Sequence, residues 1–324
     1  MKLYPLLFQP IYKYRMWGGN KLKTVLHKNY SEENIGESWE ISDVKGDETQ
    51  VINGDLAGYT LQRLAKEFEA DFLGKKVYNS FGEEFPLLIK FIDAKTPLSV
   101  QVHPHDPIAK ERHNSFGKNE MWYVMDADED AEIIVGFNQA LDKKTYSRLL
   151  EEKRLLEVLN SVNTQAGDTF YIPTGRVHAI GAGVLLAEIQ QTSDITYRIY
   201  DYDRVDQATG KTRDLHNELA LDVIDFQTHT SYKTEYQKES NTVNTLVHSP
   251  YFITNILFLY KKYNRDYAHL DSFVILICTK GSTELIVEER KYEIQKGQTL
   301  LLPAIVSQVT FVPSEPCELL EVYF

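Results

Sequence analysis

The chain has 324 residues, 43% of them hydrophobic, and a formal net charge of −12, so it can bury one large core or two ordinary ones. That charge repels polyanions, which excludes nucleic acid and an anionic membrane surface as expected partners. With only two cysteines, Cys278 and Cys317, no disulfide framework or zinc-thiolate cluster can form, as suits a reducing, cytoplasmic setting.

In chain order, the opening MKLYPLLFQPIYKYRMWGGN is interrupted by Gln9, Pro10, Lys13 and Arg15, too short an apolar stretch for a secretion signal. No later window reaches the roughly 20 apolar residues that span a bilayer. Thr60 to Phe72 places Leu61, Leu64, Phe68 and Phe72 at helical spacing, and Gly74 is a fitting stop. Short runs rich in Val, Ile, Phe and Leu then dominate, at 85–94, 98–103, 132–137, 273–279 and 284–289. They are bounded by Gly, Pro and Asp turns, the pattern of all-β barrels or sandwiches. Between them, residues 140–161 repeat Leu149, Leu150, Leu155, Leu156 and Leu159 at helical spacing, which predicts a helical insertion over about 139–161 with those leucines in the core. The polar stretch 229–244 reads as a linker, dividing the chain near residue 240 into units 1–240 and 241–324.

A weak repeat supports two similar units. AGDTFYIPTGRVHAI (166–180) aligns with KGQTLLLPAIVSQVT (296–310), matching Gly167 to Gly297 and Pro173 to Pro303. Each copy reads as a glycine turn, a strand, a proline, and a return to the barrel interior. His178 of the first copy is Gln308 in the second, so chemistry is expected in the first unit alone.

The chemistry-bearing residues cluster there. Gln101 and His103 are two apart in LSVQVH, hence on one face of a strand. Glu120 opens the next apolar run, and His178 follows the proline of the repeat. A single histidine on an apolar strand is usually just hydrogen-bonded, but a buried polar pair needs partners inside the barrel, and a metal supplies one. Two imidazoles, a carboxylate and an amide oxygen suit one Zn²⁺ per chain with a position open for water or substrate. With bonds of ~2 Å to one ion, the histidine and glutamate donors must lie within about 6 Å of one another. His105 is expected at the strand end in solvent, and His27, His113, His216, His229, His248 and His269 on the surface. Glu188 and Arg198 are ten apart in AEIQQTSDITYRIYDYDR; spacing alone leaves open a half-exposed strand pair joined by a salt bridge.

The motifs PLLIKFIDAKTPLSVQVHPHD, GKNEMWYV, YIPTGRVHAIGAG and EIQQTSDITYRIYDYDR, in this order, resemble the short bacterial form of the type I mannose-6-phosphate isomerases of the cupin superfamily. The resemblance implies a mainly β fold of two cupin-like (jelly-roll) β-barrels, with a few helices inserted in and before the first barrel and no metal ligands in the second. It implies a zinc-dependent interconversion of mannose 6-phosphate and fructose 6-phosphate through an enediol, with a small hexose phosphate as partner and a monomer or weak homo-oligomer as the assembly. The family's metal ligands fall on Gln101, His103, Glu120 and His178, its catalytic arginine on Arg198 and its pocket acid on Glu188. Its substrate contacts fall on Trp17, Lys90, Ser99 and Lys118, of which Ser99 and Lys118 are candidates for the phosphate. The proton carrier stays open between Glu188 and a water on the metal. The chain departs from longer members in carrying Asn119 where many have Pro, and in lacking their large helical insertion. Because a barrel alone does not fix a reaction, the alternatives are a different cupin enzyme, such as an iron-dependent oxygenase or a non-mannose sugar-phosphate isomerase, and a non-catalytic sugar-binding or regulatory module; the glutamine amide and the Lys and Arg cluster argue against the oxygenase.

Overall fold

The computed structural model describes residues 2–324. The first part of the chain forms β1 (Ile11–Gly19), β2 (Ile35–Ile41), β3 (Leu87–Ala94), β4 (Val100–Val102), β5 (Glu120–Ala127), β6 (Glu132–Phe137), β7 (Leu159–Asn163), β8 (Thr169–Ile172), β9 (His178–Ile180), β10 (Val184–Gln191) and β11 (Tyr197–Tyr200). A small hairpin, β12 (Val205–Asp206) with β13 (Lys211–Thr212), follows. The second part forms β14 (Val243–His248), β15 (Ile253–Leu259), β16 (Tyr263–Asp266), β17 (Val274–Lys280), β18 (Ser282–Val287), β19 (Arg290–Gln295), β20 (Thr299–Leu302), β21 (Gln308–Pro313) and β22 (Cys317–Tyr323). The fold is mainly β, as expected.

Four sheets stack in order. A five-stranded sheet (β11-β4-β9-β6-β7) faces a six-stranded one (β1-β2-β3-β10-β5-β8); a second five-stranded sheet (β14-β15-β22-β17-β20) faces a four-stranded one (β16-β21-β18-β19). Each pair is a flattened jelly roll, not a barrel closed by a continuous ladder. Strand alternation assigns the layers. On β3, β5 and β10 one set of side chains, including Leu87, Ile89, Phe91, Met121, Tyr123, Leu185 and Ile189, packs outward against Ile256, Ile275, Ile277 and Leu320 of the second jelly roll. The alternate set, including Ile92, Trp122, Val124 and Leu186, packs inward on Ile133, Val135 and Ile180. Lys90, Glu120 and Glu188 occupy inward positions of these same strands. The six-stranded sheet is thus hydrophobic on the outside and carries its polar groups inside.

The helix Leu61–Leu73 bears out its prediction: Thr60 caps it, accepting from Arg63 N, and Gly74 ends it. Gly74 has φ 91°, and a Cβ there would lie 2.3 Å from Asp271 O, so the turn admits only glycine where the helix meets the second jelly roll. The rings of Phe85 and Phe273 meet there at 4.5 Å.

The expected insertion over 139–161 is largely corrected. A helix spans Lys143–Glu151, a 3₁₀ turn Leu155–Val158, and Leu159 already begins β7. Lys153, at φ 58°, breaks the helix, and the later leucines serve a sheet edge; Leu149, Leu155 and Leu159 are buried, whereas Leu156 is 43% exposed. Periodicity could not separate these cases because β7 begins with the last leucine of the pattern. The repeat does reappear. In each copy a positive-φ glycine (Gly167, Gly297) leads into a strand (β8, β20), and the chain crosses after proline to a strand of the facing sheet (β9, β21). Among the described residues no helix is long and apolar enough to cross a membrane.

Candidate active site

Alternation also aims the site. Val100, Val102, Ala179, Tyr197 and Ile199 pack on the outer face of the first five-stranded sheet, so Gln101, His178 and Arg198 face inward. The ladder sets them in a row, with Gln101 paired to His178 on one side and to Arg198 on the other. Opposite, Glu188 pairs with Lys90 and with Trp122, and Gln190 with Glu120.

His103, Glu120 and His178 converge. One ligand atom from each lies within 4.8 Å of the others, inside the limit that one shared ion sets. His103 Nδ1 donates to Ile195 O at 2.9 Å and His178 Nδ1 to Arg176 O at 2.8 Å. Those bonds fix both tautomers and turn each Nε2 lone pair to the centre. Each Nε2 faces one oxygen of Glu120, at 3.5 and 3.4 Å. Gln101 places its amide 3.3 Å from His178 Nε2; which fork atom points inward is interchangeable by rotation. Glu120 Oε1 is buried without a hydrogen-bond partner, an orphaned acceptor that a cation would satisfy. The donor set therefore fits a metal. His103, Glu120 and His178 are at most 1% exposed.

Burial chiefly, then the charge of Lys118, keeps the His103 imidazole well below its ordinary range. Burial likewise pushes His178 down to about 3, so both are neutral imidazoles, the form able to ligate a metal. Glu120 is raised by burial and then by the Glu188 carboxylate. Burial, the largest influence on Glu188, pushes it up too, but Lys118, Lys90 and the Trp122 indole outweigh it and the net shift is downward. Lys90 Nζ lies 3.2 Å and Trp122 Nε1 2.9 Å from that carboxylate. Lys118 donates to Glu120 and lies 3.2 Å from His103 Nε2. Its ammonium thus sits between His103, Glu120 and, at 3.8 Å, Glu188.

A cleft of about 630 Å³ opens over this cluster, and Trp17, Lys90, Ser99, Gln101, Lys118, Glu188 and Arg198 all line it. Arg198 Nε donates to Ser99 Oγ at 3.3 Å and Nη1 to Asp214 O at 2.8 Å. Burial and the neighbouring Arg213 charge lower its pKa. Glu188 and Arg198 form no salt bridge with each other, so the bland reading of that pair falls away. Sequence reasoning missed Arg15, Glu37 and Trp39, also on the cleft. Arg15 grips Glu37 at 2.8 and 2.9 Å, and Trp39 Nε1 donates to it at 2.7 Å. The carboxylate and indole two apart in GESWE on β2 were the available signal. His216, expected on the surface, is half-buried and accepts from Arg198 N at 3.1 Å, because the segment after the hairpin folds back along β11.

Residues 6–146 match the phosphomannose isomerase type I catalytic domain, and residues 242–323 the mannose-6-phosphate isomerase cupin domain. Mannose-6-phosphate isomerase ManA of Bacillus subtilis is 37% identical over 306 residues, 92% of this chain and 93% of that protein. The chain belongs to the type I phosphomannose isomerases. The enzyme class follows, an aldose–ketose isomerase. The mannose-6-phosphate isomerase of Streptococcus mutans is 34% identical over 95% of both chains. The crystal structure of a mannose 6-phosphate isomerase from Bacillus subtilis superposes with a TM-score of 0.89 at 31% identity, covering 99% of each chain. The two-jelly-roll arrangement is thus shared along nearly the whole length of that solved structure.

Proposed function

We propose that this chain interconverts mannose 6-phosphate and fructose 6-phosphate with one zinc ion held by Gln101, His103, Glu120 and His178. The observation that carries the reading is the convergence of His103, Glu120 and His178 within 4.8 Å beneath a cleft with Lys90, Lys118 and Arg198 on its wall. The substrate pair comes from the relatives, which are named for mannose 6-phosphate. Two imidazoles, a carboxylate and an amide form a borderline-hard set that zinc favours.

Bound there, zinc would supply Lewis-acid stabilisation for the negative charge that develops as the opened sugar enolises. The remaining work belongs to the chain's own groups. Glu188, kept ionised by Lys90 and Lys118, accepts the proton from C2 of the aldose and returns it to C1 of the enediol, while the proton of the C2 hydroxyl passes to the C1 oxygen, giving the ketose. Trp122 fixes the orientation of that carboxylate. Arg198 and Ser99 take the phosphate at the cleft mouth, since the guanidinium has no carboxylate in hydrogen-bond range and presents a planar fork. Lys118, engaged with Glu120, serves the reacting end in place of the phosphate. Trp17 walls the cleft and excludes water. The reading assigns the chemistry to residues 1–240, leaves 241–324 as packing support, and fits a cytoplasmic enzyme.

The test is to incubate the purified protein with mannose 6-phosphate, follow fructose 6-phosphate, and measure bound zinc in wild type and His178→Ala. Turnover in the wild type, with zinc and activity lost together in the variant, is expected. A zinc-free His178→Ala protein of full activity would sink the mechanism, and ligand binding without turnover would favour the sugar-binding module.

A further inference from the structure

The ligands come from two facing sheets: Glu120 begins β5 of the six-stranded sheet, while His178 lies on β9 and His103 just beyond β4 of the five-stranded one. Within the second sheet the Gln101–His178 pairing sets spacing. No ladder runs between the sheets, whose apolar packing sets their separation without fixing register, so the 3.4 Å approach of Glu120 to His178 also depends on the connection that crosses over. That connection is the turn 173–177, and the ladder leading into it ends at Glu120 and Ile172. Pro173 has no N–H and cannot extend it.

Asn119 takes over at this point. Its Oδ1 accepts from Thr174 N at 3.1 Å, which continues the β5–β8 contact one step past the proline. Its backbone N and its Nδ2 both donate to Gln191 Oε1, at 2.9 and 2.8 Å, and its carbonyl accepts from Gln191 N at 3.1 Å. Gln191 Nε2 in turn reaches Asp106 Oδ1 at 3.1 Å, which also holds Gly117 N at 2.7 Å. The far side of the turn is tied by Gly175 N to His103 O at 3.0 Å. Asn119 is 3% exposed, and its two side-by-side bonds to Gln191 Oε1 are buried, shielded from competing water.

We propose that Asn119, clamped by Gln191, is a positioning residue that presets the distance between the Glu120 and His178 donors. The proposal rests on the metal-centre reading above. A proline at position 119 would have neither the N–H nor the amide and could not form this bridge.

The test is zinc affinity, measured by chelator competition on the folded protein. Asn119→Ala is expected to raise the zinc dissociation constant by about 10- to 100-fold. Its metal-free melting temperature should fall, because Gln191 and Thr174 lose a buried partner, and the increment that zinc adds to it should shrink as well. Gln191→Ala should move affinity the same way, and the double variant should lose little more than the weaker single, because both act through one bridge. Should Asn119→Ala not fold, the zinc affinity of Gln191→Ala alone decides between the same two outcomes. Zinc affinity within about twofold of wild type in the folded variants overturns the proposal, as does an equal drop in melting temperature with and without zinc. A wild type without zinc affinity overturns the metal centre and this proposal with it.

Discussion

Gln101 and His178 are direct partners in the ladder between β4 and β9, and their side chains meet at 3.3 Å. The amide therefore borders the ligand cluster through backbone register, not through a flexible loop. Gln101→Leu removes this partner and keeps every charged donor. Zinc should still bind, with affinity and kcat lowered about 10- to 100-fold; zinc titration with steady-state kinetics checks it, and wild-type values would remove Gln101 from the set.

Arg198 sits on the other side of Gln101 and bonds Ser99 and Asp214 through its fork. Arg198→Lys keeps the charge and loses the planar geometry. We expect kcat/KM to fall about 10²- to 10³-fold with zinc content unchanged. Equal loss of bound zinc would mean that the arginine acts on the metal site.

The buried histidines make the metal-free protein acid-sensitive. His178 is held at about 3 against an ordinary 6.5, and His103 is also lowered. As pH falls through 6.5 the unfolded chain gains protons that the folded chain refuses, so these groups reduce stability below about 6.5, by up to ~1.4 kcal/mol per pH unit for each. Glu120 is raised and works the opposite way above 4.5, binding its proton more tightly when folded. Urea unfolding of metal-stripped wild type and His178→Gln between pH 7.5 and 5 isolates the histidine (~1.4 kcal/mol per unit at most). The variant should show the shallower loss on acidification, and parallel curves would contradict the burial argument.

Phe85 and Phe273 meet at 4.5 Å between the two jelly rolls, inside one continuous core that draws on both. Phe273→Ala should destabilise by about 3–5 kcal/mol and leave a single unfolding transition. Two separated transitions by calorimetry would show that the halves fold independently.

The strands and the ligand positions were legible because period-2 alternation puts Gln101 and His103 on one face, and because Glu120 and His178 stand at strand starts where polar groups turn inward. The helix Leu61–Leu73 was legible through its cap and its closing glycine. The end of the second helix was not, since the leucines of 155–159 continue a helical spacing while the backbone turns at Lys153. The contacts of Lys118 and Asn119 were also out of reach. The direction of the Lys118 ammonium is set by His103, Glu120 and Glu188 together, and Asn119 meets Thr174 and Gln191; most of these partners lie far away in sequence.

The six-stranded sheet has consequences for the boundaries of the catalytic unit. Its reactive face is one side of a plank whose reverse is Leu87, Ile89, Phe91, Met121 and Leu185, covered by the C-terminal jelly roll. Strip that cover away and the exposed greasy underside would invite clumping before any sugar was met. The C-terminal half is thus a foundation in the plain sense: its Ile256, Ile275, Ile277 and Leu320 keep dry the back of the plank whose front carries Lys90, Glu120 and Glu188.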